Sequence, residues 1–149
     1  MQLLWLTRYE GYMKAICRGV RDGDQSCIEQ AARFFDCMLP KNSVIVPMPG
    51  HMGRADRMLD VAWAVKRLRP DVDVLDVLRC DPHPSSYDMK KNGLTPVPFK
   101  MWHEGFEYDG DSERPKFIID NVICTGSTVA AAIAVLDWPV LVLCKSTWR

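Results

Sequence analysis

The sequence lacks three features that would point at once to a common functional class. It has no net charge, because 19 lysines and arginines balance 19 aspartates and glutamates, so no general attraction to the phosphate backbone of nucleic acid is expected. No apolar run approaches the roughly 18 residues of a membrane span, and the N-terminal segment lacks the basic start and cleavage site of a signal peptide. The six cysteines never form a CxxC pair, which argues against a zinc ribbon. We therefore expect a cytoplasmic protein with neither membrane nor nucleic-acid partners.

The composition that is present fits one domain, residues 1–149. With 48% apolar and 26% charged residues, the chain is long enough for one core and too short for two ordinary domains. Short apolar runs alternate with amphipathic stretches, which predicts strands near 44–46, 72–78, 117–120 and 140–144 and helices near 25–39, 55–68 and 127–136. This alternation is typical of an α/β fold with a mostly parallel sheet flanked by helices. Ligands of such sheets bind at the carboxyl ends of the strands.

The stretch 80–110 differs from the rest, because it is interrupted by prolines and has few apolar runs. We interpret it as a long flexible loop with a ragged hairpin around 99–108. Loops of this length in compact domains are often functional lids.

The most informative segment is FIIDNVICTGSTVAAAI, residues 117–133. An apolar strand is expected to deliver Asp120 and Asn121 at its end, and a tight loop then leads into an alanine-rich helix. The loop amides, the hydroxyl groups and the helix N-terminus together favour a phosphate group, and Gly126 permits a positive φ. A carboxylate shortly before such a loop is placed to accept hydrogen bonds from sugar hydroxyls. The alternative is an ordinary helix start capped by Thr125 or Ser127.

This segment resembles the signature of type I phosphoribosyltransferases, which bind 5-phosphoribosyl-1-pyrophosphate (PRPP). Two further segments are similar to parts of that family, most closely to its ComF-like competence-protein group. VIVPMPGHMGR (44–54) resembles the strand and pyrophosphate loop, and LRCDPHPSSYDMKKNG (78–93) resembles the flexible catalytic loop. The resemblance implies a Rossmann-like phosphoribosyltransferase fold with a small hood.

The resemblance also implies roles for particular residues. Asp120, together with Asn121, would bind the ribose hydroxyls, and Arg54, Lys90 and Lys91 would act with Asp120 in catalysis, the two lysines by closing over the leaving group. The 5-phosphate would be held by Thr125, Gly126, Ser127 and Thr128, and the pyrophosphate by Met48, Pro49, Gly50, His51, Met52 and Gly53. A Mg²⁺ cofactor would bridge ligand oxygens, with no direct protein ligand expected beyond the vicinity of Asp120.

Four departures from the family pattern bear on activity. Asn121 replaces the second acid of the signature, which removes one negative charge beside the ribose. Cys124 replaces a usual threonine and loses a hydroxyl donor. The N-terminal zinc ribbon of the ComF-like group is absent, and 94–115 is longer and more aromatic than expected.

The leading hypothesis is an enzyme that transfers phosphoribosyl from PRPP to a nucleobase or a similar nitrogen acceptor, and a homodimer is compatible with it. One alternative is a non-catalytic PRPP sensor, and another is a ComF-like accessory factor in DNA handling, which the neutral net charge disfavours. An unrelated α/β hydrolase has no nucleophile-elbow motif to support it. Nothing in residues 1–23 or 94–115 identifies the acceptor. Lys145 and Trp148 follow the last strand, where an acceptor contact competes with ordinary snorkelling and partial burial.

Overall fold

The computed structural model describes residues 3–94, 99–105, 113–123 and 126–146, without the side chains of residues 86, 87 and 90. The helices are α1 (Gly11–Arg21), α2 (Gln25–Met38), α3 (Arg57–Leu68), α4 (Ser86–Lys91) and α5 (Ser127–Leu136). The strands are β1 (Leu3–Arg8), β2 (Val44–Pro47), β3 (Asp73–Val74), β4 (Leu78–Cys80), β5 (Met101–His103), β6 (Lys116–Ile123) and β7 (Val140–Lys145). Within these ranges no helix has the length and apolar character needed to cross a membrane.

Five strands form a sheet in the order β1-β7-β6-β2-β3, and every neighbouring pair is parallel. The prediction of an α/β fold with a mostly parallel sheet flanked by helices is therefore confirmed. At the centre, Val44 pairs with Lys116 and Pro47 pairs with Ile119. β1, where the residue pattern predicted no strand, adds to the sheet beside β7.

The sheet is covered on both faces, and alternate strand residues enter two separate cores. Ile45, Ile119 and Leu141 pack with the buried faces of α1, α2 and α3. On the opposite face, Val46 and Ile118 pack with residues of α5, β4 and β5. The continuous apolar runs in β2 and β7 follow from this arrangement, because a strand buried on both faces has no polar side.

Three of the predicted elements are wrong in detail. The strand predicted over 72–78 is split into β3, which joins the large sheet, and β4, which leaves it. β4 pairs antiparallel with β5, so that Leu78 lies opposite His103 and Cys80 opposite Met101. A hairpin was expected within 99–108. Instead, the strand found at the start of this stretch, β5, pairs with β4. Residues 106–108 lie outside the described residues. The loop expected over 80–110 contains the helix α4.

Near the amino ends of the central strands, Arg69 connects several parts of the chain. The Arg69 guanidinium contacts the carboxylates of Asp36 at 3.2 Å and Asp71 at 3.0 Å. It also donates hydrogen bonds to three carbonyl oxygens that end α2 and follow it, those of Asp36, Leu39 and Pro40. Helix C-termini leave such carbonyls without partners inside the helix. Arg69 therefore joins α2 to the segment after α3, and its guanidinium holds the pKa of Asp71 well below the usual range.

We expect Arg69→Gln to lower the urea midpoint of unfolding clearly more than Lys66→Gln, because among the described residues Lys66 has two hydrogen-bond partners, the Pro70 carbonyl and Asp73. A carboxylate whose pKa is lowered in the folded state stabilises the fold fully above its unfolded pKa of about 4, and this stabilisation is lost progressively as the pH falls from that value through the lower folded pKa. The difference between wild type and Arg69→Gln should therefore shrink as the pH falls from 6 to 3, in urea titrations followed by circular dichroism. Equal midpoints for the two variants at pH 6 would contradict the role given to Arg69.

Candidate functional site

The candidate site lies where the chain order of the sheet reverses. β2 leads through α3 to β3 on one side, whereas β6 leads through α5 to β7 on the other. α3 and α5 belong to the two different cores, so they lie on opposite faces of the sheet. The connections leaving the carboxyl ends of β2 and β6 consequently diverge, and a crevice between them is the usual ligand position in sheets of this kind.

The first wall of the crevice is the segment after β2, from Met48 to Arg54, which we call the β2 loop. Met48 and Pro49 are buried, and the Met48 amide donates to the Ile119 carbonyl of β6 at 2.9 Å. The loop folds back on itself through 3.0 Å hydrogen bonds from the Gly53 amide to the Gly50 carbonyl and from the Gly50 amide to the Arg54 carbonyl.

Three backbone amides of the β2 loop take no part in these hydrogen bonds. Those of His51, Met52 and Arg54 have no hydrogen-bond partner among the residues that the structure describes. All three residues are exposed. Adjacent amides without partners form a concave site for an anion, and the Arg54 guanidinium adds a positive charge on the same loop. The β2 loop is therefore suited to a phosphate group.

The second wall is β6, and here the expectation about Asp120 needs correction. Asp120 was expected at the end of its strand, but β6 continues to Ile123 and Asp120 pairs with Val142 of β7. The strand is longer because β7 continues to offer partners after β2 has ended. β2 stops at Pro47, opposite Ile119, so Asp120 is the first residue of β6 beyond the end of β2. It thus still faces the crevice edge of the sheet.

Burial raises the pKa of the Asp120 carboxyl to about 7, against a smaller lowering by the hydrogen bond that it accepts from the Asn121 amide. That bond joins the amide nitrogen of Asn121 to Oδ1 of Asp120 at 2.8 Å. The residue as a whole is half-buried, and its carboxyl is the enclosed part. Such a carboxyl changes its protonation near neutral pH.

Asn121 lies beside Asp120 with an amide oxygen, Oδ1, that is buried and has no hydrogen-bond partner among the described residues. The backbone carbonyl of Asn121 accepts a hydrogen bond from the Cys144 thiol at 3.6 Å. The sulfur atoms of Cys144 and Cys17 are 3.4 Å apart. A buried acceptor without a partner is unfavourable unless a water molecule or a ligand donates to it. Sequence patterns gave no sign of this orphaned oxygen.

The third wall is the start of α5. Cys124 and Thr125 lie outside the described residues. Gly126 occupies the N-cap position with a φ of +82°, and as a glycine it supplies no side-chain hydrogen bond to the helix. A left-handed φ of this kind favours glycine, as the motif predicted. Ser127 is exposed and Thr128 half-buried in the first turn, where helix amides and the positive end of the dipole attract anions.

The two predicted catalytic lysines fall on α4. Lys91 is exposed at the end of that helix, and the side chain of Lys90 lies outside what the structure describes. Among the described residues, Lys91 makes no side-chain hydrogen bond or ion pair with the three walls. The structure thus brings Met48 to Arg54, Asp120, Asn121 and Gly126 to Thr128 to one edge of the sheet and sets the lysines on a separate segment.

The segment that carries α4 is nevertheless joined to the β2 loop at its root. The Cys80 amide donates to the Gly53 carbonyl at 3.0 Å, and the His83 amide donates to the His51 carbonyl at 2.8 Å. The His83 ring also stacks on Phe99, with 3.8 Å between ring centroids, which closes the base of the segment. These backbone contacts could not be predicted from residue types, because every residue except proline carries the same donor and acceptor.

Compared with known protein families and with curated protein sequences, the chain shows no match. Its function therefore has to be inferred from the geometry of the site.

Gly53 is the glycine on which the β2 loop depends most. Its φ is +104°, and a Cβ atom there would lie 2.7 Å from the Cys80 carbonyl oxygen. We expect Gly53→Ala to destabilise the protein by about 1–3 kcal/mol, the cost of a side chain at such a φ, with further loss from the clash. Gly50→Ala is the matched control, because a Cβ atom there would meet only the Arg54 carbonyl at 3.7 Å. Thermal unfolding of both variants measures the difference, and equal melting temperatures would contradict the account.

Proposed function

We propose that the chain is a phosphoribosyltransferase of the type I kind, which binds PRPP in the crevice and transfers its phosphoribosyl group to a nitrogen acceptor such as a nucleobase. The observation that carries this proposal is the meeting of two anion-binding walls around one carboxyl. The unpartnered amides of His51, Met52 and Arg54 lie on one side of the strand ends and the start of α5 on the other, with Asp120 at the strand beside them. PRPP has the same layout, since two phosphate-bearing ends flank a ribose diol.

Each wall has a role that its chemistry supports. The first turn of α5, with Gly126, Ser127 and Thr128 and the preceding Thr125, would hold the 5-phosphate. Residues Met48 to Gly53 of the β2 loop would hold the pyrophosphate, and Arg54 in the same loop would neutralise part of its charge. Asp120 would accept hydrogen bonds from the ribose hydroxyls, and the Asn121 amide oxygen would gain the donor that it lacks in the protein alone.

The proposed reaction breaks the bond between C1 of the ribose and the pyrophosphate oxygen and forms a bond from C1 to the acceptor nitrogen. The electron pair of the broken bond leaves with the pyrophosphate, and the acceptor loses a proton. Positive charge develops on the ribose as the bond breaks, and a carboxylate at Asp120 would stabilise it. Lys90 and Lys91, on the segment rooted at the β2 loop, would approach the leaving group when that segment closes.

Magnesium fits this proposal as a companion of the ligand. Among the described residues, no group of three or more histidine, cysteine, aspartate or glutamate side chains could hold a metal ion. In this proposal Asp120 is the protein residue that would lie near the ion, which would arrive together with PRPP. When bound, the ion would neutralise charge on the leaving group.

A second candidate function is a PRPP sensor without catalysis. Asn121 favours it, because an amide in place of a carboxylate puts less negative potential beside the ribose. The third candidate, a ComF-like accessory factor in DNA handling, has only the motif resemblance in its favour, since the chain carries no net positive charge.

PRPP affinity should depend on the ionisation of Asp120. Only the carboxylate form accepts hydrogen bonds from both ribose hydroxyls, and the pKa of about 7 means that this form is lost as the pH falls from 8 to 6. One pH unit below its pKa, only about a tenth of a carboxyl group is ionised. We therefore expect the PRPP affinity, measured by calorimetry, to fall by about tenfold between pH 8 and pH 6. Asp120→Asn should bind more weakly at pH 8 by about 1.5–3 kcal/mol.

The asparagine variant also supplies the control for this pH dependence. Protonation of the PRPP phosphates affects both proteins equally, so only the excess pH dependence of wild type reports Asp120. If the two proteins bind PRPP equally well at pH 8, Asp120 does not contact the ribose.

Turnover separates the enzyme from the sensor. Asn121→Asp restores the second carboxylate of the signature and should raise the rate of pyrophosphate release with PRPP, Mg²⁺ and a panel of purines, pyrimidines and pyridine carboxylates. Lys90→Ala combined with Lys91→Ala should lower that rate more than it lowers PRPP affinity, because closure acts in the transition state. Tight PRPP binding without release in either wild type or a folded Asn121→Asp protein would favour the sensor.

A further inference from the structure

The two edges of the large sheet are built differently. The β3 edge is only two residues long, and its Asp73 is held by ion pairs to Lys66 and Arg114. Short, charged edges are a common protection against pairing with other chains. The β1 edge is six residues long, and Leu4, Trp5 and Leu6 keep 39%, 45% and 45% of their surface exposed.

β1 is open in three directions. Successive strand residues point to opposite faces, so exposure of Leu4, Trp5 and Leu6 means that both faces of β1 are incompletely covered. On its outer side, β1 pairs with no strand among the described residues, because it ends the strand order. A row of backbone donors and acceptors is thereby presented beside apolar side chains on both faces.

We propose that β1 pairs with β1 of a second copy of this chain, antiparallel and about a two-fold axis at Trp5, so that the two sheets become continuous. In that register Leu4 lies opposite Leu6 of the partner subunit, Leu3 opposite Thr7 of the partner subunit, and the two Trp5 side chains face each other. Aromatic pairs and aliphatic pairs directly opposite one another stabilise antiparallel strands.

A second copy fits this edge because the edge is complementary to itself. Two identical edges related by a two-fold axis contact each other through the same residues, and the antiparallel direction lets each donor row meet an acceptor row. A strand that pairs with β1 must carry apolar side chains on both faces of the joined sheet. β1 itself does so, because Leu4 and Leu6 lie on one face and Trp5 lies on the other. Arg8 is the one charged residue of β1, and this register keeps it well away from Arg8 of the partner subunit.

The available area makes the dimer weak. A half-exposed tryptophan adds on the order of 100 Å², so the three exposed side chains of β1 fall well short of the roughly 800 Å² per partner of a standard interface. Backbone hydrogen bonds between the strands supply the remaining attraction. The dimer is therefore expected to dissociate on dilution rather than to be obligate.

Sedimentation velocity of the full chain from about 1 µM to about 500 µM tests the proposal, since the dimer fraction must rise with concentration by mass action. Trp5→Lys places two like charges opposite each other and should lower the association constant by about tenfold or more. Trp63→Lys is the matched control, because Trp63 on α3 is exposed to 47% and lies on a helix whose main contacts are with α2, β2, β3 and β6. That variant should dimerise like wild type.

Cysteine cross-linking tests the register and does not depend on the lysine variant folding. With oxidised glutathione as oxidant, two Trp5→Cys thiols should form a disulfide between subunits while glutathione is reduced, because residues at the two-fold axis lie directly opposite. Leu4→Cys should cross-link far less, since Leu4 does not face itself. Wild type treated in parallel accounts for the exposed native Cys37. A monomer at every concentration, or dimerisation equal in wild type and folded Trp5→Lys, would overturn the proposal, and equal cross-linking of both cysteine variants would overturn its register.

Discussion

The parallel pairing of β2 with β6 is the contact on which the rest of the molecule depends. These strands are distant in the sequence, yet they lie side by side at the centre of the sheet and each contributes to both cores. Their pairing brings the β2 loop next to Asp120. It also forces the following helices to opposite faces, because the chain leaves β2 in one direction and β6 in the other. Without it there would be two half-sheets and no crevice.

Sequence patterns predicted the central elements well and the peripheral ones poorly. β2, α2, α3, α5 and β7 have strong periodicity because each buries a face or is buried on two, and the structure contains them close to their predicted bounds. β1 escaped prediction because its apolar run is largely exposed at an edge, where burial does not impose alternation. The 72–78 run was taken as one strand because residue types do not show where a strand leaves one sheet and joins another.

The site shows the same division between side-chain and backbone information. Glycine and hydroxyl residues before an alanine-rich helix predicted the left-handed Gly126 at the start of α5. Polar residues in β6 were taken as the end of a strand, although the strand continues wherever a neighbour can pair with it, and β7 does so past Asp120. The unpartnered amides of the β2 loop and the orphaned oxygen of Asn121 depend on folded geometry, which residue types do not encode.

The hydrogen bonds from Cys80 and His83 to Gly53 and His51 have a consequence for motion. Local opening in proteins occurs in cooperative units joined by shared contacts. The loop on one side of the crevice and the root of the α4 segment share two backbone hydrogen bonds, so they form one such unit. A fluctuation that loosens the loop releases the segment with it, and an anion that immobilises the loop restrains both. The β2 loop and the α4 segment would then share a single equilibrium between open and closed states.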